Sequence, residues 1–209
     1  MLRTARLACL LPLLFVAADG PGFVPLFDGR TLAGWTQVRG KAGNWGVDEG
    51  QLSTRGRGKD WLSTNRAYAN FVLRLEYRVG PAGNSGVLIR APHRGDPSFD
   101  GIEIQILDDD APAYRALKPE QYAGSVYGVV AARRGAARPA GEWNALEIRA
   151  EGSKVRVVLN GRTVVDADLA RHPDAPPRHS GTARAAGFLG LQSHGDPARF
   201  RHLEIRELP

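Results

Sequence analysis

The sequence predicts an all-β sandwich made of two antiparallel sheets. Three observations carry that expectation. Apolar residues recur at every second position in short runs through much of the chain. Gly, Pro and Asn cluster between the runs. No stretch sustains a helical period for more than a turn or two. About ten to twelve such runs in one domain point to two large sheets of jelly-roll type.

Phe71, Leu73, Leu75, Tyr77 and Val79 share one face of the cleanest strand, with Arg74, Glu76 and Arg78 on the other. Residues 80–84 read Gly-Pro-Ala-Gly-Asn, a turn. The run 85–91 follows, with Val87 and Ile89 on one side and Leu88 and Arg90 on the other. A break at 92–97 leads into Gly-Ile-Glu-Ile-Gln-Ile-Leu-Asp at 101–108. Residues 108–142 are loop-rich, with a short strand expected at 127–130 and a turn at Asp108-Asp109-Asp110. Trp143 to Ala150 is a strand with Leu146 and Ile148 inward. Val155, Val157 and Leu159 then lead to Asn160-Gly161, with Val164 and Val165 beyond, a strong hairpin signal because both turn residues need positive φ. A polar excursion covers 166–185, and strands at 188–193 and 203–208 close the chain.

The chain has 209 residues, enough for one substantial domain. Its 43% hydrophobic and 24% charged residues are ordinary for a globular protein. The first eighteen residues differ from the rest. Arg3 and Arg6 precede an apolar run at 7–15, and Val16-Ala17-Ala18 supplies a small-residue cleavage pattern. This predicts a secretory signal peptide at 1–18, export to the periplasm or the medium, and no membrane attachment after cleavage. Cys9, the one cysteine, leaves with it, so the mature domain holds no disulfide and depends on its core. Loss of Arg3 and Arg6 takes the formal charge of +6 down by two, to +4. The basic cluster Arg133-Arg134 and Arg138 lies in a Gly/Ala/Pro loop without interleaved aromatics, which argues against nucleic acid as a partner.

The chemistry concentrates on a few strands. Ile102, Ile104 and Ile106 form a dry face, and Glu103 and Gln105 stand on the other, about 7 Å apart. Leu189 and Leu191 face the core, so Gly190, Gln192 and His194 face the other way, with Gly190 leaving room for an approach to the sheet. If the strands neighbour one another, Asn84, Arg90, Glu103, Gln105, Gln192 and His194 share one polar face. That set offers a base, a cation and amides, the makeup of a carbohydrate site. Trp61, Tyr68 and Tyr127 could add stacking rings. Glu103 and His194 could together ligate one divalent ion.

The chain also resembles the 3-keto-disaccharide hydrolase domain family. The resemblance runs through Leu26-Phe27-Asp28-Gly29, Gly34-Trp35, Trp45-Gly46-Val47-Asp48, Gly83-Asn84-Ser85-Gly86, residues 101–108, Gly141-Glu142-Trp143-Asn144 and Gly190-Leu191-Gln192-Ser193-His194-Gly195. These motifs, in order, make 23–209 one domain. Ile102 and His202 depart from the family's usual aromatic and Asn. The resemblance implies a concanavalin A-like jelly roll that acts on glycosides oxidised at sugar carbon 3, by proton abstraction at C2, loss of the C1 oxygen and hydration. It implies Glu103 or His194 as base, and Arg90 or a metal as the group that steadies the enolate. Two alternatives stand beside it. One is a non-catalytic carbohydrate-binding module. The other is a laminarinase-like retaining glycosidase, whose paired carboxylates would be Glu103 and Asp108.

Overall fold

The computed structural model describes residues 22–172 and 179–209, so the leader expected at 1–18 lies outside the described residues. Thirteen strands follow along these residues. They are β1 (Val24–Pro25), β2 (Trp35–Val38), β3 (Trp45–Asp48), β4 (Gln51–Thr54), β5 (Lys59–Tyr68), β6 (Phe71–Val79) and β7 (Asn84–Ala91). After the single turn of helix α1 (Pro97–Asp100) come β8 (Ile102–Leu107), β9 (Asn144–Glu151), β10 (Lys154–Leu159), β11 (Arg162–Asp168), β12 (Gly187–His194) and β13 (Ala198–Glu207). The larger sheet runs β11-β10-β9-β6-β13-β4-β3, with β1 added on β13; the smaller runs β2-β5-β12-β7-β8. The expected sandwich of two antiparallel sheets is the fold.

Period-two alternation drives the packing. Phe71, Leu73, Leu75 and Tyr77 of β6 meet Val87, Ile89, Ile102, Ile104, Ile106, Leu189 and Leu191 of the small sheet in one continuous core. Each fully buried aliphatic side chain contributes about 1.5–3 kcal/mol, and this core stands without a disulfide among the described residues. Asn160 and Gly161 have φ of 49° and 79°, as the hairpin between β10 and β11 requires.

Two expectations fail. No strand forms at 127–130. Val126 makes single bridges to Ile104 and Val130, and the chain between turns back on itself. This loop instead covers the outer edge of β8: Gln105 N donates to Ser125 O (3.0 Å), Gly124 N to Gln105 O (2.8 Å) and Tyr127 N to Glu103 O (2.9 Å).

The second failure concerns the face of Arg90. The pairing of β12 with β7 shifts between Phe188↔Ala91 and Gly190↔Leu88, and Arg90 at the shift has φ 52°. A bulge breaks the parity that alternation assumes.

Candidate active site

The solvent-side face of the small sheet is held in register by backbone pairing. Glu103 is level with Leu88 and Gly190; Gln105 is level with Gly86; Trp61 pairs with Gln192 and Lys59 with His194. Along this face lies a cavity of about 370 Å³. Seven of the eight residues predicted from sequence line it: Trp61, Asn84, Glu103, Gln105, Tyr127, Gln192 and His194.

Two glycines make the floor low enough. A Cβ at Gly86 would lie 2.1 Å from Glu103 Oε1, so the carboxyl rests where a side chain would stand. A Cβ at Gly190 would lie 2.6 Å from Trp61 Cε3, so the indole lies across bare backbone. Trp61 is 2% exposed, which removes it as an open stacking platform; it is a wall. Tyr68 is buried in the core, edge-on to Phe71 at 6.4 Å. Tyr127 meets the expectation better: it lines the cavity, leans on Phe99 at 6.3 Å and accepts a hydrogen bond from Gln121 Nε2 (3.0 Å).

Arg90 is the correction. Its guanidinium turns away from the cavity and donates to Ala69 O (Nη2, 3.0 Å), Gly152 O (Nη1, 2.6 Å) and Arg184 O (Nη1, 3.1 Å). It is 1% exposed and ties β7 to the β5–β6 link, the β9–β10 turn and the segment before β12. Arg90→Met would strand these buried carbonyls, and a loss of about 3 kcal/mol is expected in denaturant unfolding. The kinetic constants of the surviving folded protein should not change.

Sequence reasoning missed Asp96, Ser98 and Phe99. They come from the short helix, whose Asp96 side chain accepts from Ser98 N (3.2 Å) while Pro97 opens the turn. Asp-Pro is a readable helix start, so the signal was present. Ser98 Oγ accepts from Gln192 Nε2 (3.1 Å), joining the helix to β12. Lys59 and Arg39 add cations at the far end, where Lys59 follows from parity with Trp61. Asp60 fixes that end. Its carboxylate accepts from Gln37 (2.8 Å), Asn44 (2.9 Å) and Trp45 (2.8 Å), and Gln37 also donates to the carbonyls of Arg39 and Lys41.

Electrostatics separate the two proposed bases. Glu103 is 3% exposed, and burial pushes its carboxyl up to about 7. Nearby Asp96 adds to the rise, and hydrogen bonds from Ser98 and Gln192 oppose it. Burial and the charge of Lys59 hold His194 below the usual imidazole range, against the pull of Asp196. Glu103 is therefore poised to exchange a proton near neutrality, and His194 is a neutral imidazole there.

Glu103 and His194 are too far apart to share one divalent ion. Glu103 and His194 sit two strands and four residues apart in register, ~10 Å across and ~13 Å along the sheet. Among the described residues no group of three or more His, Cys, Asp or Glu could hold a metal. The laminarinase-like pair also fails. β8 has no break in its pairing, and Asp108 lies beyond its end with Oδ2 accepting from Ala82 N (2.8 Å). Asp109 Oδ1 accepts from Ala123 N (2.9 Å), so the Asp run is a turn, as expected.

Five buried side-chain polar atoms lack a partner among the described residues, and four belong to residues that line this cavity: Trp61 Nε1, Asn84 Oδ1, Gln105 Oε1 and Gln192 Oε1. Such orphans cost about 1–3 kcal/mol each and are tolerated where a ligand completes them. A jelly-roll sheet bearing an acid, amides, an indole and a phenol around one cavity defines a carbohydrate-active β-sandwich. The chain belongs to the 3-keto-alpha-glucoside-1,2-lyase-like domain family, whose model matches residues 22–206. A 3-keto-disaccharide hydrolase from Bacteroides thetaiotaomicron is 25% identical over 233 positions, covering 91% of this chain and 80% of its own. A Parabacteroides distasonis protein, provisionally classed as a glycosyl hydrolase, superposes with TM-score 0.78 at 29% identity, covering 89% of this chain and 99% of its own. The carbohydrate binding module CBM66 from Bacillus subtilis shares the fold, with TM-score 0.57 at 16% identity over 83% of this chain and 96% of its own.

Proposed function

We propose that this protein cleaves the glycosidic bond of 3-keto-glycosides by elimination across C2 and C1, followed by hydration. One observation carries the reading: a buried carboxyl held near pKa 7 faces a cavity lined by four residues that each hold a buried polar atom without a partner.

A ketone at C3 acidifies the C2 hydrogen. The Glu103 carboxylate takes that proton, and the C–H electron pair forms the enolate. Collapse of the enolate makes the C1–C2 double bond and breaks the bond from C1 to the leaving oxygen. The Glu103 carboxylic acid returns the proton to that oxygen, which a group titrating near neutrality does well. Water then adds at C1 of the enone and a proton at C2, so the net change is hydrolysis. His194, the neutral imidazole at the Lys59 end of the cavity, suits a hydroxyl remote from C1 and C2. The indole N–H of Trp61, a buried donor without a partner, suits an oxygen that gains charge and accepts hydrogen bonds. The orphan amide carbonyls suit ring hydroxyls.

The test is turnover of a methyl 3-keto-α-glucoside by the purified domain. Release of methanol that is lost in the Glu103 variant described below is the expected result. Binding of sugars with no turnover of any 3-keto-glycoside would establish a binding module instead.

We also propose that the protein is exported. Expression in a bacterial host should yield a periplasmic or secreted form whose N-terminus, read by mass spectrometry, begins after Ala18. Retention of Met1 on a cytoplasmic product would overturn it.

A further inference from the structure

We propose that the same sheet carries a second sugar subsite, built on His93, that takes the leaving-group ring of a disaccharide; this rests on the reading above for the first ring. The face of the small sheet does not stop at the Glu103 cavity. Ser63, level with Gly190, lies two residues beyond Trp61 on β5, and Phe188 lies two residues beyond Gly190 on β12, each step being about 7 Å. That is the scale of one pyranose ring. There a second depression of about 740 Å³ is lined by His93, Arg94, Asp100, Ser180, Arg184 and Phe188.

His93 has the properties of a platform. Its ring is stacked on Phe188 with centroids 3.5 Å apart and planes 17° apart. Its Nε2 is 2.8 Å from Ser63 Oγ, and Trp61 meets it edge-on at 6.0 Å. The imidazole is thus fixed from below, from one end and from the side, while the residue remains exposed. A surface ring held in one orientation has no rotamer freedom left to lose when a sugar stacks on it.

Polar groups for hydroxyls stand around it. Asp100 accepts from Ser180 Oγ (3.1 Å) and from Asp96 N (2.8 Å), which fixes its carboxylate. Arg94 is exposed beside it, and Arg184 is steadied by donation from Nε to Arg90 O (2.9 Å). The helix α1 divides the two depressions: Ser98 and Phe99 face the first and Asp100 the second. Trp61 bridges them, lining the first and touching the platform of the second. A two-ring glycoside would lie along the strands across this divide, with its scissile bond beside Gly190, which is level with Glu103 and covered by the Trp61 indole.

The test compares two substrates, the 3-keto form of an α-linked glucose disaccharide (trehalose or maltose) and methyl 3-keto-α-glucoside. His93→Ala is expected to raise KM for the disaccharide about three- to tenfold, as expected for loss of one ring-stacking contact. The methyl glucoside should keep its constants. His93→Phe, which retains a flat ring, should restore the disaccharide KM. Equal effects on both substrates, or none on either, would overturn the subsite and leave the first-ring reading standing. If the wild type turns over neither substrate, that reading fails, and calorimetry with the parent disaccharide decides the subsite separately. Binding weakened by His93→Ala and restored by His93→Phe supports it; binding indifferent to both refutes it.

Discussion

Glu103→Gln is expected to lower kcat/KM by about a thousandfold, within the range removed with a general acid–base group, and to make the protein more stable at neutral pH. Both effects have one cause. The carboxyl lies in a dry site, where burial lifts it to about 7, so ionising it in the folded state costs more than in the unfolded chain. Below its unfolded value of 4.5 both states hold the proton and the residue is neutral to stability. As pH rises from there, the unfolded state ionises first, so wild-type stability falls until the folded carboxyl ionises near 7. The loss over that window is on the order of 3 kcal/mol, and the amide variant escapes it. Denaturant unfolding of both proteins between pH 4 and 8 would show the curves diverging with rising pH. In kinetics the sign is opposite. The wild-type kcat/KM should climb with pH through about 7 as the carboxylate forms. A profile flat across that range, or a variant with full turnover, would remove Glu103 from the chemistry.

Gly86→Ala should produce the second largest effect, and without unfolding the protein. The added methyl would meet Glu103 Oε1 at 2.1 Å and its Cγ and Cδ at 2.9 Å, all on a flexible side chain. The carboxyl must swing off its seat, whereas the backbone need not move. A displacement near 1 Å at a reacting group costs about a hundredfold in rate. The expected outcome is a melting temperature within a few degrees of wild type, kcat about a hundredfold lower, and a shifted pH midpoint because the bonds from Ser98 and Gln192 are lost. Shortening the acid in Gly86→Ala/Glu103→Asp should return part of the activity. A Gly86→Ala enzyme with wild-type kcat and pH profile would show that the seat does not matter.

The parts of this fold that were legible in the sequence are those where one face is dry and the other wet. β6 and β8 alternate without error, and Asn160-Gly161 marks its hairpin. Gly190, Gln192 and His194 were placed on the correct face because β12 keeps strict parity there. β5 was opaque because Asp60, Trp61, Leu62, Ser63 and Thr64 are all buried, so no alternation survives. Arg90 was misplaced because a bulge cannot be seen in a pattern of period two; only the close approach of Gly187, where a Cβ would lie 2.4 Å from Arg90 C, shows what the glycine was for. Asp96, Ser98 and Phe99 were missed because a four-residue helix is too short to display a period. Their places depend on the capping geometry of Asp96 and Pro97.

The loop at 124–127 pairs with the backbone of Glu103 and Gln105 themselves, whereas Ile104 packs its side chain into the core. The two residues with the most chemistry are thus gripped from the covered edge by a segment that is neither strand nor helix. The segment is itself buried from residue 122 to 126, so the grip is as dry as the core beside it. A substitution that breaks this pairing would loosen the backbone under Glu103 and Gln105 together. The firmness of the chemical centre therefore rests on a covering segment that the sheet itself does not supply.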